Sequence, residues 1–525
     1  MRFLTPDQMR AADARATTTL KIPSMLLMRR AGIAVARSTL TLARLHATRK
    51  IILVAGHGNN GGDICVAARC LHEDGFNVQV LLTTVPAQLR GDAHAAWDDM
   101  RVTGVPYTVL ASAGSWETPD SVAVDLLGRP CVLVDGLLGT GCVGAPTGAV
   151  KRAIQWTNQM RAVARILSAD LPSGMHGETG AIEGECVRAD VTMTFARPKT
   201  CFLNDTSAPF VGHLSVVDIG MGASLCDTDP YLVPCELIAL PELASTWTGP
   251  AWSAHKGSLG RITIIGGSAS YPHAPVLSAL GALRSGAGLV TLCVPPASAI
   301  AAAIWAPESI LQIRDPATNA SCATGADVVL VGPGLGRTPE TTLLVEHLLA
   351  TYTAKLLIDA DGLHALAQLR KSPNWKPFKD LVLTPHPGEA ALLLDTSVET
   401  IQNDRLAAVR QLADRYQATV VLKGSGTLVC NPGGTPWLNR TGNPGMASGG
   451  MGDLLAGMIA ALWTQTADAA RAACTGVWAH GTAGDQAALA QGQTSLTATT
   501  LAQHVAEAFQ MLPTGHYESL TLTRL

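Results

Sequence analysis

Two α/β domains, each built on a largely parallel sheet, are what this sequence predicts, and three features predict them. Short, almost wholly apolar runs alternate with longer stretches of small residues at helical spacing, the pattern of strands covered by helices on both faces. Nearly every such run breaks directly into glycine-rich or charged residues. Between about 223 and 250 the alternation lapses into Pro, Ser and acidic residues, which reads as a link. The 525 residues suffice for two to four full cores, and we place the boundaries at 1–225, a link at 226–250, and 251–525.

Hydrophobic residues make up 47% but aromatics only 4%, beside 51 Gly and 30 Pro, so small side chains are expected to pack closely around many loops. A formal charge of −3 argues against a nucleic-acid or membrane-surface role. No apolar run approaches the roughly 20 residues that a membrane span requires. The opening Met1-Arg2-Phe3-Leu4-Thr5-Pro6-Asp7 lacks the apolar core of a secretory signal. Twelve Cys without a C-x-x-C pair indicate neither a zinc site nor a disulfide framework. A reducing cytoplasm is the expected compartment.

In chain order, helical patterning covers 9–15 and 25–45, and a strand follows at 51–55. It enters Gly56-His57-Gly58-Asn59-Asn60-Gly61-Gly62-Asp63, with a small-residue helix expected from 66 to 72. Strand, glycine loop and helix form a geometry in which amides can cradle phosphate. Gly56, Gly58 and Gly61 match G-x-G-x-x-G formally. However, the next strand, 78–82, runs into Thr83-Thr84 rather than an acidic residue, so an ordinary dinucleotide site is not indicated. Two carboxamides and a carboxylate gather where a phosphate loop would want only N–H groups; a plain Asn/Gly turn is the alternative.

Strands at 131–134 and 164–169 end on Asp135 and on Asp170-Leu171-Pro172-Ser173-Gly174. In an open parallel sheet these ends share one edge, where ligands bind. Asn60, Asp135 and Ser173 can then converge as oxygen ligands of a hard cation. One carboxylate among neutral oxygens suits a monovalent ion better than Mg²⁺.

These three segments together resemble the NAD(P)H-hydrate epimerases, the YjeF N-terminal domain, over about residues 5–225. The resemblance implies a Rossmann-like fold that interconverts the R and S epimers of hydrated NAD(P)H with a bound potassium ion. It implies substrate contacts from Asn59, Asn60, Gly61, Gly62 and Asp63, and from Gly139, Thr140, Gly141, Cys142, Val143, Gly144 and Ala145. Potassium would be held by Asn60, Asp135 and Ser173, and Asp170 would touch substrate. Ile64 stands where the family's loop continues into Gly. The substrate's hydroxyl sits beside the ring nitrogen, whose lone pair can expel it, so an acid and a base suffice to invert the centre. Asp170 is the candidate for this work, with Lys199 second.

After the link, strands are expected at 261–265, 289–292, 328–331, 356–358, 381–383 and 419–422. Their ends carry Gly332-Pro333-Gly334-Leu335-Gly336, Asp359-Ala360-Asp361-Gly362, Thr384-Pro385-His386-Pro387-Gly388-Glu389 and Lys423-Gly424-Ser425-Gly426-Thr427. The last set joins a cation, a hydroxyl and loop amides, well suited to nucleotide phosphates. A dense glycine loop, Asn443 to Gly452, then feeds a helical run that puts Asp453 in a first turn beside unpaired amides. By itself that carboxylate is either a base or a helix-capping acid.

This half resembles the YjeF C-terminal domain, the NAD(P)H-hydrate dehydratases, over about 250–515. The resemblance implies a ribokinase-like fold, with Ala274, Gly336, His386 and Asp453 against the hydrated nucleotide. Lys423, Gly424, Ser425, Gly426, Thr427 and Gly452 would hold the adenine nucleotide, taken as ADP with Mg²⁺. His273 and Met451 replace the small residues usual before Ala274 and between Gly450 and Gly452. Phosphorylating the hydroxyl makes it a good leaving group, with Asp453 accepting its proton and the Gly449-to-Gly452 amides stabilising the phosphoryl charge. The partners are therefore hydrated NADH or NADPH and ADP, in a chain expected to form a homo-oligomer. A small-molecule kinase and a non-catalytic nucleotide sensor are the rival readings.

Overall fold

The computed structural model describes residues 1–116, 131–226, 235–247, 249–314, 321–372 and 375–512. It divides into two compact units, Met1–Val233 and Pro234–Gly515. Residues 227–234 of the expected link and 513–525 of the expected second domain lie outside the described residues. Within the interval 226–250, Glu236–Leu237 forms a strand of the second sheet and Leu240–Thr246 a short helix.

The first unit holds seven parallel strands: β1 (Lys50–Ala55), β2 (Asn77–Leu82), β3 (Tyr107–Val109), β4 (Cys131–Gly136), β5 (Ala164–Ala169), β6 (Val191–Phe195) and β7 (His213–Val217). Their order is β3-β2-β1-β4-β5-β6-β7, so the winding reverses between β1 and β4. That switch point is where loops part and leave a crevice. Both faces are covered: Ile51, Leu53 and Ala55 enter one core and Ile52 and Val54 the other, which is why β1 reads as continuously apolar. The register pairs Val54 with Asp135 and Asp135 with Ser168, so this carboxylate lies inside the sheet end.

One expectation is corrected here. Residues 59–63 are not a loop before a helix at 66; they are the first turns of the helix Asn59–Glu73. Glycine permits this tight start. A Cβ on Gly61 would collide with the Gly56 carbonyl, and one on Gly62 would lie 2.7 Å from Met28 Cε. Ile64, the departure from the family pattern, packs its side chain over Gly136, whose missing Cβ makes room for it.

The second unit carries ten strands: β8 (Glu236–Leu237), β9 (Arg261–Ile265), β10 (Leu289–Val294), β11 (Ile310–Ile313), β12 (Val328–Val331), β13 (Lys355–Ile358), β14 (Leu381–Leu383), β15 (Thr419–Leu422), β16 (Leu428–Cys430) and β17 (Trp437–Leu438). The order is β11-β10-β9-β12-β13-β14-β15-β16-β17-β8, with a switch between β9 and β12. From β11 to β15 the neighbours are parallel, but β16 is antiparallel to both its neighbours. The sheet is thus mixed rather than wholly parallel. The reason is length: the five residues from Lys423 to Thr427 can close a hairpin but not a parallel crossover. Above the sheet, helices Ala274–Arg284 and Met451–Thr464 touch backbone to backbone. Gly281 and Gly457 allow it, because a Cβ on either would strike the Leu454 or Ser278 carbonyl. Among the described residues no helix is long and apolar enough to cross a membrane.

Candidate active sites

In the first unit the ends of β1, β4, β5 and β6 bring together most of the residues expected from sequence. Asp135 is fully buried and its carboxylate is saturated by neighbours. Oδ2 accepts from Ser173 N at 2.9 Å and Ser168 Oγ at 2.8 Å; Oδ1 accepts from Ser173 Oγ at 2.6 Å and Leu137 N at 3.2 Å. Burial still raises its carboxyl above the usual range against those bonds. Asn60 Nδ2 donates to the carbonyls of Leu138 (2.8 Å) and Ala169 (3.0 Å), and Leu138 N donates to Ser173 Oγ (2.9 Å). Two carbonyl acceptors fix the orientation of the Asn60 amide. Among the described residues its Oδ1 is a buried acceptor without a partner, the state of an oxygen awaiting a donor or a cation.

Asp170 caps β5 in a left-handed backbone conformation, φ +63°. Such strain in a non-glycine residue persists only where its surroundings enforce it. Its Oδ1 accepts from Lys199 Nζ at 2.6 Å and Thr194 Oγ1 at 3.1 Å, while Oδ2 lies beside Gly139. Lys199, a surface charge by default, is only 2% exposed; its ammonium also donates to Thr194 Oγ1 (2.9 Å) and Phe195 O (3.0 Å). Asp63 is buried nearby, and burial followed by the charges of Asp170 and Asp13 lifts its carboxyl well above the ordinary range. Asp13, on the helix Pro6–Thr18, is exposed at the rim; partial desolvation raises its carboxyl to about 6, with Lys199 opposing and Asp170 adding, a shift that solvent screening moderates. Sequence reading missed Asp13 and Thr194, since neither has a motif around it. The expected substrate loop is mixed: Cys142 is buried, Val143 is 83% exposed, and Gly144 has φ +75°.

In the second unit the site is organised around Lys423 at the end of β15. Its ammonium lies 2.7 Å from Asp359 Oδ1 and 3.9 Å from Glu389 Oε2. Burial opposes that charge, yet Asp359 and Glu389 hold it above the ordinary lysine range. Asp359 Oδ1 also accepts from Thr384 Oγ1 at 2.8 Å. The hairpin that follows Lys423 is stapled from behind by Arg405, whose guanidinium donates to the carbonyls of Leu422, Lys423 and Gly426. Gly424 and Ser425 are left exposed at the rim, and Thr427 Oγ1 turns back to Gly424 O.

Gly450, at φ +88°, opens the helix Met451–Thr464. A Cβ on Gly452 would sit 3.2 Å from Lys423 Nζ, so the lysine lies directly under that helix start. Asp453, one residue on, has its carboxyl raised to about 7; burial is the main cause, with Asp359, Glu389 and Asp361 adding and Lys423 opposing. A carboxylate poised near neutrality is suited to proton transfer. His386 caps the helix Pro387–Leu394: its Nδ1 accepts from Gly388 N and Glu389 N, so the neutral ring carries its proton on Nε2. Burial and Lys423 lower its basicity. Gly336 N donates to Asp361 Oδ2 at 2.8 Å, and Ala274, the first residue of its helix, packs against Gly334. His273 is exposed, whereas Met451 is buried, so only the second departure adds bulk inside. Asp359 and Glu389 stand within the sequence motifs at the ends of β13 and β14, whereas Arg405 lies in no motif and is brought to the site by its helix alone.

Residues 262–507 match the family profile described as NAD(P)H-hydrate dehydratase, and residues 24–201 match that of the YjeF-related protein N-terminus. A bifunctional NAD(P)H-hydrate repair enzyme from Moorella thermoacetica is 36% identical over 514 residues, 95% of each chain. The Escherichia coli enzyme of the same description is 35% identical over 499 residues, 94% of this chain and 91% of that one. The crystal structure of the ADP/ATP-dependent NAD(P)H-hydrate dehydratase from Bacillus subtilis, co-crystallised with ATP and Mg²⁺, is 27% identical, covering 53% of this chain and 98% of that chain with a TM-score of 0.49. With a third of its residues shared over almost the whole length of such relatives, the chain belongs to the bifunctional NAD(P)H-hydrate repair enzymes, an epimerase domain followed by a dehydratase domain.

Proposed function

We propose that the first domain equilibrates the R and S epimers of hydrated NAD(P)H and that the second returns the S epimer to NAD(P)H at the expense of ADP, releasing AMP and phosphate. In the epimerase, Asp170 exchanges the proton that accompanies loss and return of the hydroxyl. Lys199 holds that carboxylate in place through the 2.6 Å bond and neutralises it. Asn59, Asn60, Gly61, Gly62 and Asp63 frame the substrate from one side and the segment from Gly139 to Ala145 from the other. The residues suited to a potassium ion are Asn60, Asp135 and Ser173, and the unpartnered Asn60 Oδ1 supports that fit. Such an ion supplies fixed positive charge beside the substrate's polar groups.

In the dehydratase, Asp453 takes the proton of the substrate hydroxyl as its oxygen attacks the terminal phosphoryl group of the nucleotide. Gly449 to Gly452 offer amides to the transferring group, and Lys423 to Thr427 hold the remaining phosphate. Ala274, Gly336 and His386 face the hydrated ring, with Glu389 Oε1 3.4 Å from His386 Nε2. Mg²⁺, carried in with the nucleotide, supplies charge neutralisation. Elimination of phosphate driven by the ring nitrogen then restores the double bond. The observation that carries this reading is Asp453, raised to about 7 and set one residue beyond the glycine that lies over Lys423.

The deciding measurement is NADH regained from a mixture of hydrated epimers with ADP or ATP. Turnover with ADP exceeding that with ATP is expected; a stable phosphorylated product without NADH would mean a kinase. Asp170→Ala should consume the S epimer and stall with R remaining. A homo-oligomer in a reducing cytoplasm is part of the proposal. Its support is an exposed apolar face of Ile300, Ile304 and Trp305 beside the edge strand β11, and its test is the solution mass.

A further inference from the structure

The loop that leads to Asp453 lies against one face of the helix Ala469–Gln491. That face is bare where the chain crosses: a Cβ on Gly481 would collide with Thr441, and one on Gly484 with Met446. Thr441 Oγ1 donates to the carbonyl of Trp478 at 3.1 Å. Next to these glycines stands Asp485, whose two carboxylate oxygens take separate donors from the loop. Oδ2 accepts from Gly442 N and Oδ1 from Asn443 Nδ2, both at 2.9 Å. Asn443 in turn accepts Gly445 N on its Oδ1 at 3.1 Å, so three positions of the loop hang on one side chain. Gly442 has φ +102°, a conformation with no side-chain packing of its own to hold it. At the far end of the loop His480 stands buried on the same helix.

We propose that Asp485 is a positioning residue for phosphoryl transfer: through Asn443 and Gly442 it sets the glycine loop whose amides receive the nucleotide phosphate. The role rests on the reading of Asn443 to Asp453 as the phosphate-binding loop. It needs a carboxylate, since two donors converge on two oxygens and a carboxamide offers only one acceptor. Asp485→Asn therefore turns an N–H against one of the two donors and releases one end of the loop.

The test uses the full-length enzyme, with ADP and hydrated NADH as probes. Asp485→Asn should raise the KM for ADP about tenfold while interconversion of epimers by the first domain is unchanged. Pairing it with Asn443→Asp rebuilds all three bonds, with donor and acceptor exchanged only between the two side chains, and the double variant should return to within about threefold of wild type. A folded Asp485→Asn protein, judged by circular dichroism and thermal melting, with wild-type KM for ADP overturns the role. So does a double variant no better than the single. If instead Asp453→Asn turns over normally, the phosphate-loop reading falls and the positioning role with it. If Asp453→Asn is inert while Asp485→Asn keeps its KM, only the positioning role is lost.

Discussion

Both domains end their sheets in a buried lysine–aspartate pair, Lys199 with Asp170 at 2.6 Å and Lys423 with Asp359 at 2.7 Å, and they use it differently. In the epimerase the paired aspartate is itself the candidate acid–base group, so the lysine acts directly on it. In the dehydratase the lysine is engaged by Asp359 and Glu389, and the carboxylate proposed as the base, Asp453, stands apart on a helix start. Burial first, and then the negative charge of Asp359 and Glu389 against the opposing Lys423, lifts Asp453 to about 7. One lysine thus restrains a carboxylate, while the other leaves a neighbour free to hold a proton.

The contrast can be broken most severely at Asp453. Asp453→Asn should cut dehydratase kcat by about 10²- to 10⁴-fold with epimerisation intact, measured as NADH regained from pure S epimer. Normal turnover would end the assignment of the base. Next in size, removing either lysine strands a buried carboxylate. Lys423→Met and Lys199→Met should each destabilise their domain by about 3–5 kcal/mol, read from denaturant melts. The Lys423 variant should suffer more, because Asp359 is 1% exposed whereas Asp170 keeps 15%.

The pH profile sharpens the comparison without a mutation. Asp453 must be ionised to accept a proton, so dehydratase kcat should hold above about pH 7 and fall about tenfold per unit well below it. A profile flat from pH 8 to about 5 would contradict this. The smallest effect is expected at Asp13. Its folded carboxyl is raised from 3.8 to about 6, so its contribution to stability is full below about pH 4 and is lost as pH rises through 6. Asp13→Asn does not titrate; relative to wild type its melting temperature should therefore rise across that window.

Much of each site was legible because apolar strands must end, and what ends them is written locally. Asp135, Asp170, His386 and Lys423 all follow runs of buried aliphatics, and Gly450 opens the Asp453 helix as its glycine-rich approach suggested. Less legible was where a loop stops being one. The carboxamides Asn59 and Asn60 sit inside a helix, since whether Gly61 and Gly62 bend or wind depends on what approaches them. Strand β6 escaped notice because Thr192 and Thr194 interrupt its apolar run. The hairpin form of Lys423 to Thr427 depended on β16 pairing backwards, a matter of partner rather than propensity.

By itself, then, the order of residues determined two α/β domains, the strand ends that carry chemistry, and a resemblance strong enough to name both reactions. Tertiary structure alone decided the partners. That Lys199 is buried against Asp170, that Asp359 holds Lys423, and that Asp485 reaches Asn443 across 42 positions follows from which strands and helices the topology sets side by side. Periodicity reports the face a side chain turns to its own element's surroundings. The charges, donors and empty space found there belong to other elements, and those set a proton's affinity and a loop's position.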